Sequence, residues 1–242
     1  MSGFVMTNAK VLLGGMDFSG QHNSLALEYG AEMLDETTFQ VGGAATRKNK
    51  AGLKTFSFNG NIFWDSDTDE VLFNRIAAAR EVMSFAPTGE AEGDRVLFTR
   101  AVNATYNPAS GEIGQLLQAT MEGRNSNQAL VRGQLMKSGS VSVTGNSSGI
   151  QFSPTSAMQR IFSALHVLTP ATGGVPSITV TIQSAAAANF AGATTRLTHA
   201  TLTAKGADWQ EAAGPVTDMY WRAVWTISGS ESFSIYHSFG IQ

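Results

Sequence analysis

The sequence predicts a mainly β protein with one short helix at about 69–79 and an all-β, sandwich-like second part. Three observations predict it. Around Ser24–Asp65, apolar residues alternate with polar ones at a period of two. From Ala129 onward, eight short apolar runs follow one another about every ten residues, separated by Gly, Pro, Ser and Asn. Between these regions only one stretch, DEVLFNRIAAA, carries a helical stripe.

Taken in order, Ala9–Leu13 reads as a first strand ended by Gly14-Gly15. Leu25, Leu27 and Tyr29 give one half-buried strand, and Phe56, Phe58, Ile62 and Trp64 a second. Between them lies a polar excursion of roughly twenty residues, long against the usual connection of about four to six. Its charges are sorted: Glu28, Glu32, Asp35 and Glu36 come first, then Arg47, Lys48, Lys50 and Lys54. Two readings follow, a solvated hairpin whose arms pair with each other, or an arm that docks onto another copy of the chain. Asp67, with Glu70 three residues on, is the expected N-cap of the helix. Val82–Ala86 and Arg95–Tyr106 read as strands, the latter stopped by Asn107-Pro108, and Glu112–Glu122 is read as a strand punctuated by glycines. The expected strands of the second part are Val131–Lys137, Val141–Val143, Ile150–Phe152, Ile161–Leu168, Ile178–Ile182, Arg196–Leu202, Tyr220–Ile227 and Phe233–Phe239.

Composition narrows the function. Residues 141–242 carry four Lys/Arg and four Asp/Glu, against twelve and fifteen in residues 1–140. That shift predicts a boundary, placed between residues 1–128 and 129–242. A surface so poor in charge is either hidden against partners or faced with Ser and Thr. Zero cysteines removes disulfides, thiolate metal sites and thiol nucleophiles together. A net charge of −3 gives no electrostatic case for nucleic-acid binding. No apolar run has the length of a membrane span, and MSGFVMTNAK lacks the pattern of a secretory signal, so synthesis in a cytoplasm is expected.

The search for chemistry is negative. His22, His166, His199 and His237 have no second ligand at metal spacing, and the serines near His166 come without a paired acid. Asp65, Asp67 and Asp69 lack the glycine and the final glutamate of a calcium loop. Trp221 and Trp225 lie on one face of a strand, where core is the expectation and a sugar platform the alternative. No enzyme, cofactor, metal or small-molecule substrate is expected.

The runs LLGGMDFSGQHNSLALEYGAEMLDETTF, TRKNKAGLKTFSFNGNIFWD and DEVLF resemble the N-terminal part of the major tail (tail tube) proteins of long-tailed bacteriophages. The C-terminal runs SITVTIQS and TTRLTHATLTAKGADWQEAAGPVTDMYWRAVWTISG are similar to wording common in phage virion proteins. The resemblance implies a tail-tube-like split β-barrel or sandwich flanked by a helix, assembling with itself into stacked rings around a channel for DNA. The rings would hold six copies, or three of a duplicated unit. It implies a place in the virion tail beside other tail proteins, with DNA passing unbound. In that family a long loop reaches the neighbouring ring; here the loop is residues 31–51. Glu32, Asp35, Glu36, Arg47, Lys48 and Lys50 are the expected ring-stacking residues. The alternatives are a capsid decoration or other virion surface protein, and a carbohydrate-binding β-sandwich module.

Overall fold

The computed structural model describes residues 8–37, 47–77, 80–169, 176–229 and 231–242. The chain is mainly β with one short helix. In order come β1 (Lys10–Leu13), β2 (Met16–Asp17), β3 (His22–Asp35), β4 (Asn49–Phe63), α1 (Ser66–Asn74), β5 (Glu81–Ala86), β6 (Arg95–Ser110), β7 (Gln118–Asn125) and β8 (Val131–Val141). They are followed by β9 (Gly145–Asn146), β10 (Ile150–Gln151), β11 (Arg160–Val167), β12 (Ser177–Ala185), β13 (Thr194–Thr198), β14 (Gly206–Ala213), β15 (Tyr220–Ser228) and β16 (Phe233–Ile241).

Two compact units divide the chain, differently from a single cut after residue 128. One holds residues 1–22, 80–100 and 131–242; the other holds 23–79 and 101–130. The division falls inside β6, so the composition shift marks only one of the places where the chain changes unit.

In the first unit, one sheet has the order β14-β11-β16-β8-β6-β5-β1-β2, and a smaller one has β10-β15-β12-β13 with β9 also on β15. Met136, Leu165, Phe233 and Phe239 of the large sheet pack against Ile178, Val180, Trp221 and Trp225 of the small one. Trp221 stacks on Phe239 with ring centroids 4.7 Å apart. The other face of the large sheet curls around a second core of Leu12, Val96, Phe98, Phe162 and Tyr236, with Trp209 packed on it. The curl brings the β1–β2 turn onto the start of β14. A Cβ on Gly15 would lie 2.4 Å from the Gly206 nitrogen, so only glycine admits this approach. β11 is therefore buried on both faces, which explains its near-continuous apolar run. The small sheet's outer face carries Ser and Thr, with Ser177 bonded to Ser228 and Thr179 to Thr201. These residues fit the expected Ser and Thr face of the charge-poor residues 141–242.

His166 sits at the curl. Its Nδ1–H donates to the Gly14 carbonyl at 2.6 Å, and Nε2 accepts from the Ser84 hydroxyl at 2.8 Å. The carbonyl can only accept, so Nδ1 carries a proton, and burial keeps the ring neutral by leaving Nε2 without one.

The second unit has a four-stranded antiparallel order, β3-β4-β7-β6, using the C-terminal part of β6. Phe56, Phe58, Ile62 and Met121 are buried. The Phe58 ring lies over Gly123, where an added Cβ would come within 2.2 Å of it. β6 runs through Pro108 because its register shifts between Asn107 and Ser110, leaving no ladder bond for the missing amide to make.

Other expectations are corrected. The helix covers Ser66–Asn74, and Asp65, not Asp67, caps it by accepting from the Thr68 amide at 2.9 Å. Trp64 still bonds the Leu117 carbonyl, so Asp65 is the first residue free to cap. The helix stops short of 79 because Ile76 bridges to Asn103 and Ala77 has φ +55°, in the left-handed region. Of Glu112–Glu122 only the part from Gln118 is strand; the preceding residues form a turn. The run Arg196–Leu202 gives the shorter, earlier β13, and β14 has no counterpart among the expected strands.

Burial pushes the His166 imidazole down to about 4, from an ordinary 6.5, and holds buried His237 well below its ordinary range. A depressed pKa leaves stability intact above 6.5 and removes it as pH falls toward 4, because the unfolded chain takes up the proton first. Urea unfolding at pH 5 should therefore show a loss of about 2 kcal/mol from His166 alone relative to pH 7.5, with His237 adding in the same direction. A pH-independent midpoint across this range would contradict the neutral, buried assignment.

Candidate assembly surface

The six residues singled out by the sequence lie on the β3–β4 ribbon of the second unit. β4 pairs with β7 from Ser57 to Phe63, and the Asn125 side chain accepts from the Phe56 amide at 3.2 Å. Beyond that rung β3 and β4 continue as a two-stranded ribbon. Residues 49–55 carry it about 20 Å further at the rise of an extended strand. Residues 28–37, 47–51 and 53–55 are exposed. The expected twenty-residue irregular excursion is thus largely strand: β3 reaches Asp35 and β4 begins at Asn49. Both faces of the ribbon are wet, so backbone ladder bonds hold it with no apolar alternation for the sequence to display. Of the expected loop at residues 31–51, residues 31–35 belong to β3 and 49–51 to β4; residues 38–46 lie outside the described residues.

At its far end the ribbon is cross-tied. The Glu36 amide donates to the Lys48 carbonyl at 2.7 Å, and the Lys48 amide to the Thr37 hydroxyl at 3.0 Å. Asp35 accepts from the Thr37 amide at 2.8 Å, and these bonds from Thr37 lower its pKa. The Glu36 carboxylate lies 3.8 Å from the Lys48 ammonium and 3.4 Å from that of Lys50. Such exposed pairs are worth about 0–1 kcal/mol each. The acidic and basic arms therefore pair within one chain, while Glu32 faces Gly52 and Arg47 has no ion pair among the described residues. Sequence reading passed over Met33, Leu34 and Leu53, which are exposed on the same ribbon.

Another constellation escaped the sequence because its members lie far apart in the chain. Ser163 Oγ is 2.8 Å from His199 Nε2 and 2.8 Å from His237 Nε2, and His199 Nδ1 is 2.8 Å from Asp208 Oδ2. Asp208 Oδ2 also accepts from the Ala200 amide and the Gln210 side chain. These are the residue types of a hydrolase triad. Ser163 and His237 are 0% exposed and His199 1%, so the hydroxyl is sealed from any substrate. The Asp208 carboxylate can only accept, so His199 Nδ1 carries a proton, and the Ser163 hydroxyl bridges the two Nε2 atoms and lies 3.3 Å from the Ser238 carbonyl. Burial, reinforced by His199, keeps the His237 ring neutral. The arrangement ties β11, β14 and β16 to the segment after β13.

Trp221 and Trp225 are 0% and 6% exposed, and Trp225 Nε1 donates to the Val143 carbonyl at 2.9 Å. Buried rings cannot stack on a sugar, which overturns the sugar-platform alternative at these residues. Asp65 and Asp69 are engaged as the cap and as acceptor of the Tyr106 hydroxyl at 2.7 Å. Among the described residues no group of three or more His, Asp or Glu is arranged to hold a metal, and no helix is long and apolar enough to cross a membrane.

No family model matches the chain, and no curated protein matches it. Solved structures that match the chain include a chain of the virion of a native gene transfer agent particle, at 16% identity and TM-score 0.38, covering 50% of this chain and 94% of that one. The SPP1 Dit protein, described as a paradigm of hub adsorption apparatus in phages infecting Gram-positive hosts, matches at 9% identity and TM-score 0.39, covering 98% of this chain and 100% of that one. A chain of an extracellular contractile injection system's sheath–tube complex matches at 10% identity and TM-score 0.38, covering 51% and 87%. All three TM-scores are low, and a likeness this loose assigns the chain no function.

Substituting Ser163→Ala should destabilise the protein by about 2–3 kcal/mol, because it strands two imidazole nitrogens in a sealed site. Urea unfolding measures this; a neutral substitution would contradict the structural role.

Proposed function

We propose that the protein is a structural virion subunit that assembles with itself into stacked rings, forming the tail tube through which a long-tailed bacteriophage delivers its genome. The observation that carries this reading is the ribbon, a charge-sorted pair of strands exposed beyond the last β4–β7 rung at Ser57. A chain keeps such an exposed edge, with its risk of unwanted pairing, when another copy uses it. The sequence resemblance to tail tube proteins covers the same stretch. The net negative charge suits a conduit, since a basic lining would hold the phosphate backbone by releasing its counterions. Other tail proteins would be the remaining partners, and the subunit would reside in the virion tail.

Glu32, Asp35, Glu36, Arg47, Lys48 and Lys50 are the proposed stacking residues. Single rim pairs contribute little, so the effect depends on repetition around a ring and weakens with salt. Because Lys48 and Lys50 already meet Glu36, Arg47 is the cation most free to reach a neighbour.

Negative-stain microscopy of concentrated protein at low salt should show rings or tubes. Replacing Arg47, Lys48 and Lys50 together with Glu should leave circular dichroism unchanged and abolish tube growth, with Arg47→Glu alone impairing it. Normal tubes from the triple variant would contradict the role of the ribbon. Compact monomers or trimers of the wild type would point instead to a virion surface protein.

A further inference from the structure

The sheet of the second unit has two unlike ends. β4 starts at the far end of the ribbon and finishes at Phe63, where β7 begins with Gln118 directly opposite. The turn between β6 and β7 therefore lies at the end away from the ribbon tip. The Trp64 amide donates to the Leu117 carbonyl at 3.0 Å, which sets Trp64 beside that turn.

This end is apolar. Ile113 is fully exposed, Leu116 is 73% exposed, and Leu117, Phe63 and Trp64 are partly exposed. Of the large apolar side chains exposed among the described residues, all but Val143, Met158 and Met219 belong to the second unit. An apolar set of this kind marks an interaction surface. Its rim is acidic: Asp67 and Glu70 follow Trp64 in the first turns of α1, and Glu112 stands in the turn itself. All three are exposed and make no ion pair among the described residues.

The ribbon offers the complement. Leu53 is 77% exposed on the same face as exposed Met33, while Leu34 lies on the Gly52 face, and Arg47, Lys48 and Lys50 supply the opposite charge.

Resting on the reading that the chain assembles with itself, we infer that the ribbon of one copy seats on the β6–β7 turn of the next. Leu53 and Met33, on one face of the ribbon, cover Ile113, Leu116 and Trp64, and the basic arm lies against Asp67, Glu70 and Glu112. Pairing of ribbon with ribbon satisfies less. It leaves the acid-rimmed apolar end bare, and it sets the basic strand against Glu36, which its own Lys48 and Lys50 already engage. Contact between unlike surfaces is heterologous, so each added copy presents a fresh ribbon or a fresh turn and the association continues as an open stack.

The absence of cysteine makes the test clean. Full-length Leu53→Cys and Leu116→Cys chains, one carrying a size tag, are mixed under assembling conditions and treated with a short bismaleimide. The expected result is a Leu53–Leu116 product at least tenfold over either homotypic product. In parallel, Ile113→Asp with Leu116→Asp, both at solvent-exposed positions, should keep its circular dichroism and raise the protein concentration needed for assembly at least tenfold. A dominant product between two Leu53→Cys chains overturns the inference in favour of ribbon-to-ribbon pairing. Normal assembly with no mixed product, or with the double Asp variant unaffected, overturns the inference and leaves the proposed function standing. Failure of the wild type to assemble overturns both.

Discussion

The backbone ladder along β4 is the constraint on which the second unit depends. From Ser57 to Phe63 the strand is held by β7 on one edge, with Phe56, Phe58 and Ile62 buried beneath it. From Asn49 to Thr55 it is held by β3 alone. The same hydrogen-bonding pattern serves both halves, yet only one half has a core. The unsupported half survives as a ribbon because antiparallel pairing satisfies its backbone, and a hairpin without a buried face is marginal by itself in water. A marginal, exposed ribbon is a suitable element to be completed by another molecule.

The first unit follows a different logic. Its large sheet buries both faces, one against the small sheet and one inside its own curl. Ser163, His166, His199 and His237 are all at most 1% exposed. Such polar groups are tolerable there only when hydrogen-bonded, and their bonds run between strands distant in sequence. The His–Gly14 and His–Ser–His–Asp links therefore specify which strands meet. A hydrophobic face alone leaves that choice open.

Much of this was legible in the sequence, and the rest was hidden for identifiable reasons. Tyr220–Ser228 alternates buried and less buried residues, so its pattern is visible. β14 contains no buried residue, and GADWQEAA accordingly offers no alternation to read. The ribbon was visible as sorted charge, while its strand character was not, because neither face is buried. The helix was visible as a stripe, and its start was misplaced because the preceding strand's last hydrogen bond decides which aspartate is free to cap. The acid partner of His199 lies nine residues along the chain and its serine thirty-six residues back, separations that no local motif encodes.

Hydrogen–deuterium exchange on dilute and on concentrated, assembled protein tests the central claim most directly. The account predicts that amides of residues 28–37 and 47–55 exchange rapidly when dilute and slow on assembly, together with those of residues 111–117, while β11 and β16 stay protected in both states. Assembly that leaves the ribbon amides exchanging as fast as before would contradict it.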